Sequence, residues 1–209
     1  MIAIPKPQKM TAEAYLNWEP RQELRYEFVD GEVFAMTGGS IAHNDIAINL
    51  LTALRPHLQK RSCRINIADA KVNVTSSRYR YPDLVVTCNE QDKAALDAFR
   101  YPKLIVEVLS VGTESLDRGD KLKEYCKLPS LEEYVLISST QISVEIYRRA
   151  QGRFWLYTAY PSGDDAIPPT SLKEELKEER ITLESVDFEF PIAFLYDNIA
   201  QFESFESSV

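Results

Sequence analysis

Two short apolar segments of this chain each contain one acidic residue, Asp83 in the first and Glu107 in the second. Residues 81–88 and 103–110 are rich in β-branched side chains and are followed by polar or turn-forming residues, a pattern typical of buried strands. Because alternate side chains of a strand face opposite sides, each acid shares its face with apolar neighbours. Ionised carboxylates are rarely buried unless they are paired or bind a metal ion. We therefore expect Asp83 and Glu107 to form one acidic site on adjacent strands.

A basic segment precedes this acidic pair. Residues 53–80 contain one acid, Asp69, against seven bases, which are Arg55, Lys60, Arg61, Arg64, Lys71, Arg78 and Arg80. A basic surface beside an acidic site is what an enzyme that cuts phosphodiester bonds needs, whereas the alternative is a solvated face without a ligand. Residues 164–209 instead hold 12 acids and 3 bases, so the rest of the chain is nearly neutral although the whole chain carries a net charge of −8. This acidic region could cover the basic segment in the same chain or in a neighbouring subunit.

The composition is that of a soluble globular protein. Of the 209 residues, 44% are hydrophobic and 27% are charged, and the length predicts a single domain over residues 1–200 with a flexible tail at 201–209. No apolar run approaches the roughly 20 residues that span a bilayer, and the first residues lack the apolar region of a signal peptide, so we expect no membrane partner. Three widely spaced cysteines, Cys63, Cys88 and Cys126, predict neither a disulfide scaffold nor a zinc cluster and favour a reducing cytoplasm.

The pattern of elements predicts an α/β (α+β) sandwich, with a mixed β-sheet flanked by helices. Asp30-Gly31 between alternating runs predicts a hairpin over residues 25–36, because glycine adopts positive φ without steric hindrance. Apolar residues at spacing four predict a helix over 41–58, capped by Ser40, whose last turn Pro56 should kink or shorten. Further strands are predicted at 63–75, 133–137, 142–147, 153–160 and 183–190, and further helices at 11–18, 117–128, 172–180 and 191–199.

The ordered elements and their motifs resemble the PD-(D/E)xK nucleases and, within them, the Uma-two (Uma2) family of restriction-endonuclease-like proteins. Residues 81–83, Tyr-Pro-Asp, and 105–109, Ile-Val-Glu-Val-Leu, occupy the two positions of the nuclease motif. The similarity to the Uma2 family extends over roughly residues 10–200 and includes the stretches 26–32, 39–43, 107–110, 117–122 and 133–136. The resemblance implies a restriction endonuclease-like core with an extra N-terminal hairpin.

The same resemblance implies an endonuclease that hydrolyses phosphodiester bonds of DNA with Mg²⁺ or Mn²⁺ as its cofactor. Asp83 and Glu107 would be the metal ligands, since hard cations prefer oxygen ligands and two carboxylates leave room for waters and a phosphate oxygen. The metal would polarise the phosphate and lower the pKa of a bound water. The alternative is a catalytically inactive protein of this fold that acts as a nucleic-acid-binding or oligomerising module. Open sheet edges would allow a homodimer in either case.

The lysine of the nuclease motif is absent, because Leu109 stands two residues after Glu107. Lys121 on the following helix, or Lys71 on the preceding strand, could supply an ammonium that orients the water and offsets charge in the transition state. Lys121 is the residue that we expect, since it lies in the Asp-Lys-Leu run that resembles the family. A buried salt bridge between Glu107 and Lys121, without catalysis, is the alternative.

Several further residues could support this site. Either Glu27 or Glu32 on the first hairpin could add a third carboxylate, and Glu32 is the one that we expect. His43, near the start of the predicted helix, is expected either to bind phosphate or metal or to serve only as a capping or packing residue of that helix. Asp69 could widen the metal site, although pairing with Lys71 or Arg64 is the stronger expectation, and Tyr125 is expected in the core. Contacts with nucleic acid are expected from four bases, Lys71, Arg64, Arg78 and Arg80.

Overall fold

The computed structural model describes residues 9–36, 38–161 and 179–202. The helix predicted at 172–180 and the tail predicted at 201–209 lie largely outside these described residues. The α-helices of the described chain are Ala12–Trp18 (α1), Ile41–Gln59 (α2), Glu90–Lys93 (α3), Glu114–Leu116 (α4) and Leu122–Tyr125 (α5). A π-helical turn, Asp117–Lys121, joins α4 to α5, and 3-10 helices lie at Glu19–Arg21, Glu184–Val186 and Ile192–Tyr196.

The strands form a mixed central sheet and two smaller antiparallel sheets. In chain order they are Tyr26–Val29 (β1), Glu32–Ala35 (β2), Arg64–Ile67 (β3), Val72–Thr75 (β4), Arg78–Arg80 (β5), Leu84–Thr87 (β6), Leu104–Leu109 (β7), Glu133–Ser138 (β8), Val144–Arg149 (β9), Trp155–Tyr160 (β10), Arg180–Leu183 (β11) and Phe188–Pro191 (β12). The central sheet has the order β10-β9-β8-β7-β6-β3, the second sheet has the order β2-β1-β5-β4, and β11 pairs with β12.

Among the described strands of the central sheet, β7 and β8 are the only pair that runs parallel. A parallel pair needs a crossover connection, and α4, the π-helical turn and α5 provide it. The crossover therefore begins directly after the strand that contains Glu107. The mixed sheet with flanking helices confirms the predicted fold class, and β1 and β2 confirm the predicted N-terminal hairpin.

Helix α2 packs on one face of the central sheet through the predicted apolar stripe. Ile46, Leu50, Leu54 and Leu58 are at most 1% exposed and belong to the same cluster as the side chains on that face of β6, β7 and β8. The stripe arises because residues four apart lie on the same side of a helix. The predicted cap is confirmed, since Ser40 Oγ accepts a hydrogen bond from the backbone N–H of the third helical residue at 3.1 Å. The helix continues to residue 59, with proline in its last turn.

The predicted strand at 63–75 is wrong in its continuity, because it is divided into β3 and β4 of different sheets. Ala68 and Asp69, which connect the two strands, have φ angles of 33° and 47°, in the left-handed region that residues other than glycine rarely adopt. The chain turns there from the central sheet into the second sheet. The single strand predicted at 183–190 is likewise a hairpin, in which the 3-10 helix and Asp187, with φ of 51°, connect β11 to β12.

The cysteine prediction is wrong as regards disulfides, because Cys63 and Cys88 form one. They extend the β3–β6 register, in which Arg64 faces Thr87, and therefore lie opposite each other on adjacent strands. Their separation of 25 residues hides this neighbourhood in the sequence. Cys126 is free. The reducing cytoplasm expected from the cysteine spacing stays a prediction and loses part of its basis. Among the described residues no helix is long and apolar enough to cross a membrane.

Candidate active site

The pairing of β6 with β7 places the two predicted acids opposite each other. Leu84 faces Val106 in this antiparallel pair, and extending the register by one residue sets Asp83 against Glu107. The backbone N–H of Val108 donates a hydrogen bond to Asp83 Oδ2 at 2.6 Å, which holds the carboxylate at the end of the sheet. Glu107 is only 2% exposed, whereas the side chain of Asp83 is 22% exposed. The pair is thus a buried site with an opening on the Asp83 side.

Lys121 reaches this site from the π-helical turn. Its Nζ lies 3.0 Å from Glu107 Oε1, 3.0 Å from Asp117 Oδ1 and 3.7 Å from Glu27 Oε1. The hydroxyl of Tyr125 donates a second hydrogen bond to Glu107 Oε1 at 3.1 Å. π-helical turns are rare and often occur at functional sites, because the wider turn redirects side chains. Here the turn aims Asp117 and Lys121 at the end of β7.

Glu27 occupies the position that we expected for Glu32, and the prediction for Glu32 is corrected accordingly. Glu27 is buried on β1, where its Oε1 accepts the backbone N–H of Tyr81 at 3.2 Å and its Oε2 accepts a hydrogen bond from Arg80 at 2.6 Å. Glu32 lies opposite Val29, next to the turn, and is exposed. Both glutamates are on the same face of the hairpin, but only the one farther from the turn reaches the buried cluster.

A second layer of ion pairs stands behind Glu27. The Arg80 guanidinium is 4% exposed and donates to Glu27 and, with two nitrogens at 2.9 Å, to Glu124. Arg78 donates to the same Glu124 at 2.8 Å and to Asp30 in the hairpin turn. These two arginines join the second sheet to α5; Arg80 is too deeply buried for the contact with nucleic acid that we expected, and for Arg78, which is 30% exposed, that contact stays a prediction. Arg80 holds Glu27 in place through its hydrogen bond.

Lys71 is bound in a separate buried pair and does not reach Glu107. Its Nζ donates to Glu19 Oε2 at 3.0 Å and lies over the rings of Tyr15 and Tyr81, 4.9 Å and 5.6 Å from their centroids. Of the two lysines considered for the missing motif position, the structure brings only Lys121 to the acidic pair. Asp69 also lies away from the pair and is 67% exposed; its partner is Arg25 at 3.5 Å and not Lys71 or Arg64, so that expectation is wrong.

The predicted basic surface beside the site is wrong, because the bases of residues 53–80 are either paired or distant. Arg64 donates to three backbone carbonyls of the segment 92–95 and stacks over Phe99. The exposed bases Arg55 and Lys60 lie at the C-terminal end of α2. At a rise of 1.5 Å per residue they are about 18–26 Å along the axis from His43 in the first turn. A run of bases in the sequence therefore does not form one surface in the fold.

His43 contacts Asp83 from the first turn of α2. Its Nε2 lies 3.1 Å from Asp83 Oδ2, and this hydrogen bond is the main reason why the pKa of His43 is raised. Gly39 backs the imidazole so closely that a Cβ there would lie 2.7 Å from Nδ1. The histidine is thus held between a glycine and the predicted metal ligand, in addition to its place in the cap of the helix.

The buried carboxylates outnumber the cations that face them. Burial raises the pKa of Glu107 well above its ordinary value; Lys121 opposes this shift, and the charges of Asp83, Asp117 and Glu27 add to it. Burial by itself would lower the pKa of Lys121, but the surrounding carboxylates raise it instead. Such a concentration of like charge is stable only when cations or protons compensate it.

The donor set fits one hard cation held by two carboxylates. Asp83 and Glu107 lie on adjacent strands, and Mg²⁺ commonly takes one or two carboxylates together with waters. Asp117 Oδ1 is buried and has no hydrogen-bond partner. Lys121 Nζ lies 3.0 Å from it, but this contact is an ion pair without hydrogen-bond geometry. Asp117 Oδ1 is therefore a further oxygen available to a cation. Within the described residues, no group of three or more His, Cys, Asp or Glu is placed so that it could hold a metal ion by itself. The protein oxygens would therefore supply part of the coordination shell.

Asp117 and Glu124 are the site residues that the sequence analysis missed. Asp117 precedes Lys121 by four residues, and side chains at this spacing lie on the same side of a helix. That spacing was the available signal for Asp117. Glu124 had no comparable signal, because its partners Arg78 and Arg80 come from a distant strand.

Comparisons with known proteins agree with this fold. A family model described as “Uma2: Putative restriction endonuclease” matches residues 12–184. Two uncharacterized proteins of Synechocystis sp., slr1290 and sll1609, are 34% and 32% identical, covering 92% and 76% of this chain and 94% and 91% of their own lengths. A crystal structure from Anabaena variabilis, described as “a putative nuclease belonging to DUF820”, matches with a TM-score of 0.67 and 15% sequence identity. The match covers 93% of this chain and 99% of that one. At this low identity the match supports the fold alone. The family match over most of the chain, with relatives of similar length, shows that this protein belongs to the Uma2 family of restriction-endonuclease-like proteins.

Proposed function

We propose that this protein is a metal-dependent endonuclease that hydrolyses phosphodiester bonds of DNA, with Asp83 and Glu107 as ligands of Mg²⁺ or Mn²⁺. The observation that supports this most directly is the placement of the two carboxylates opposite each other, with the Lys121 ammonium 3.0 Å from Glu107. Membership in the Uma2 family and the nuclease-like fold support the reaction class.

The residues of the chain have separable roles in this proposal. The backbone N–H of Val108 and the imidazole of His43 orient Asp83, and Tyr125 and Lys121 orient Glu107. The Lys121 ammonium also offsets negative charge that develops on the phosphate in the transition state. When bound, the metal would supply Lewis-acid polarisation of the phosphate and a water of lowered pKa.

A catalytically inactive protein of the same fold is the second candidate. Leu109 replaces the motif lysine, and Lys121 is paired with both Glu107 and Asp117. These contacts would by themselves make a structural network in the interior of a nucleic-acid-binding or oligomerising module.

Metal binding and cleavage, measured on the same variants, separate the two candidates. Mn²⁺ binding would be measured by calorimetry for the wild-type protein, Asp83→Asn and Glu107→Gln, with exposed Asp97→Asn as the matched control. The same proteins would be incubated with circular DNA in Mn²⁺ and in chelator. We expect the wild type and Asp97→Asn to bind the ion and cleave, and the two site variants to lose both. Retention of cleavage by both site variants would overturn the assignment, and binding of DNA without cleavage by the wild type would favour the inactive module.

The predicted homodimer belongs with these proposals. Strand β10 is an edge of the central sheet, and its Leu156 and Tyr157 are 61% and 56% exposed. Exposed apolar edges of this kind pair readily with another chain. Light scattering of the wild type and of Leu156→Lys would test it, with a dimer that the variant dissociates as the expected result and a monomeric wild type as the contrary one.

A further inference from the structure

A cleft of about 410 Å³ lies beside the candidate site, between the first hairpin and the helical segment that contains Lys121. Its floor includes the ion-paired side chains of Glu27, Arg80 and Glu124. Glu27 belongs to both places, because it lines the cleft and lies 3.7 Å from Lys121 Nζ. The volume is within the range of about 300–1,000 Å³ that holds small organic ligands. The cleft is therefore a separate binding space next to the buried carboxylates.

One wall of the cleft is apolar and open to solvent. Phe34 on β2 is 49% exposed, and Leu116 across from it is 37% exposed, with Val29 beside them. β2 is the edge strand of the second sheet, so nothing in that sheet lies beyond it among the described residues. An accessible aromatic ring in a cleft is a platform on which a planar group can stack.

The rim of the cleft carries the positive charge that a ligand can reach. Lys123 is 74% exposed and makes only a loose contact with Asp120 at 3.6 Å. Lys127 is exposed and has no ion-pair partner in the part of the chain that the structure describes. The two arginines that line the cleft are by contrast already paired, Arg80 with Glu27 and Glu124 and Arg78 with Glu124 and Asp30. A fitting ligand therefore has a planar apolar part deep in the cleft and an anionic part at its rim.

We propose that this cleft binds one unpaired nucleotide of the substrate strand next to the bond that is cleaved, with its base on Phe34 and its phosphate at Lys123 and Lys127. The inference rests on the proposed function, because it names the form of DNA that the neighbouring site acts on. A base in a duplex has both faces covered by its neighbours, so Phe34 can reach a base only where the strand is single or the base is extruded. The site would therefore prefer DNA with a single-stranded stretch at the cleaved bond.

Binding in chelator tests this inference without any cleavage. Fluorescence anisotropy would be measured with a labelled single-stranded oligonucleotide and with its duplex, using the wild type, Phe34→Ala, Phe34→Trp and Phe154→Ala. Phe154 is the matched control, since it is 67% exposed and is not among the residues that line the cleft. We expect Phe34→Ala to weaken single-strand binding about 5- to 100-fold, Phe34→Trp to retain it, and Phe154→Ala to leave it unchanged. Duplex binding should change little in any of them.

The lysines are tested by salt dependence. Lys127→Gln should lower the slope of log affinity against log salt by about 0.7 for the single strand, as one lost phosphate contact requires, whereas Lys60→Gln at the far end of α2 should not. Equal affinities for Phe34→Ala and Phe154→Ala, equal losses on single strand and duplex, or no binding by the wild type would overturn the inference. Failure of the nuclease proposal can be told apart from failure of this inference. If the wild type does not cleave DNA but Phe34→Ala still weakens single-strand binding, the nuclease proposal fails and the inference about the cleft stands. If the wild type cleaves DNA and Phe34→Ala leaves single-strand binding unchanged, the inference fails and the nuclease proposal stands.

Discussion

Replacing Lys121 with methionine should reveal whether its ammonium lies beside the proposed metal site and repels a bound ion. Lys121 and Lys71 are each 6% exposed and each pair with buried carboxylates, Glu107 and Asp117 in the first case and Glu19 in the second. Lys71→Met is therefore a matched control for the loss of a buried ion pair. Only Lys121→Met removes a positive charge from the proposed metal site.

The two variants should lose similar stability without metal and should differ when metal is added. Removing one partner of a buried ion pair costs about 3–5 kcal/mol, which corresponds to a melting temperature lower by about 6–20 °C in a protein of this size. A metal at a hundred times its dissociation constant adds about 2.7 kcal/mol to the folded state. Repulsion between the ammonium and a divalent ion a few ångströms away is removed in Lys121→Met. Its gain from metal should exceed the gain of the wild type by more than about 1.4 kcal/mol, a tenfold increase in affinity.

Urea unfolding in chelator and in saturating Mn²⁺, with cleavage measured in parallel, provides the test. Lys71→Met should gain as much from Mn²⁺ as the wild type, because its metal ligands are intact. Lys121→Met should gain more, yet cleave more slowly, because the charge that faces the transition state is lost. An equal gain for all three proteins would refute the reasoning that places Lys121 beside the ion.

Two further pairs of variants test the surroundings of the site. Glu27→Gln should lower the free energy of unfolding by about 1.5–3 kcal/mol, because it weakens a charge-assisted hydrogen bond to a buried arginine. Glu32→Gln, at the exposed turn, should change the free energy of unfolding by less than about 0.5 kcal/mol. Equal effects of the two variants in urea unfolding would contradict the placement of the two glutamates. Gly39→Ala should displace His43, because the new Cβ would lie 2.7 Å from Nδ1, and should weaken Mn²⁺ binding in calorimetry. Gly38→Ala is its control, as a Cβ there meets nothing within 4 Å, and an unchanged affinity in both would show that His43 does not support the metal ligands.

Local periodicity was sufficient for the elements that bury one continuous face. The stripe of α2 follows from leucines and isoleucine at spacing four, and the first hairpin follows from Asp30-Gly31, whose φ angles are 50° and 98°. The two acids were found because an ionisable group in an apolar strand requires an explanation. Each of these signals is contained within a few residues of the sequence, so no knowledge of distant partners was needed.

The wrong predictions about the basic surface and the cysteines concern distant partners. Seven bases close together in the sequence suggested one surface, yet Arg80 turns inward to Glu27 and Glu124, and Arg78 pairs with Asp30 and Glu124. The cysteines at 63 and 88 meet only because β3 and β6 are adjacent and antiparallel. An ion pair or disulfide depends on which strands become neighbours, and a count of charges or cysteines carries no information about that.

The amino-acid pattern was enough to predict the mixed sheet, the helix α2 and the acidic pair at 83 and 107, because burial and alternation are local properties of the chain. The choice of Glu27 over Glu32 and of Lys121 over Lys71 depended on the folded molecule. Both glutamates share one face of the hairpin, and both lysines are buried beside acids. What separates them is the packing of the second sheet against the crossover after β7, which brings one glutamate and one lysine within 4 Å of each other.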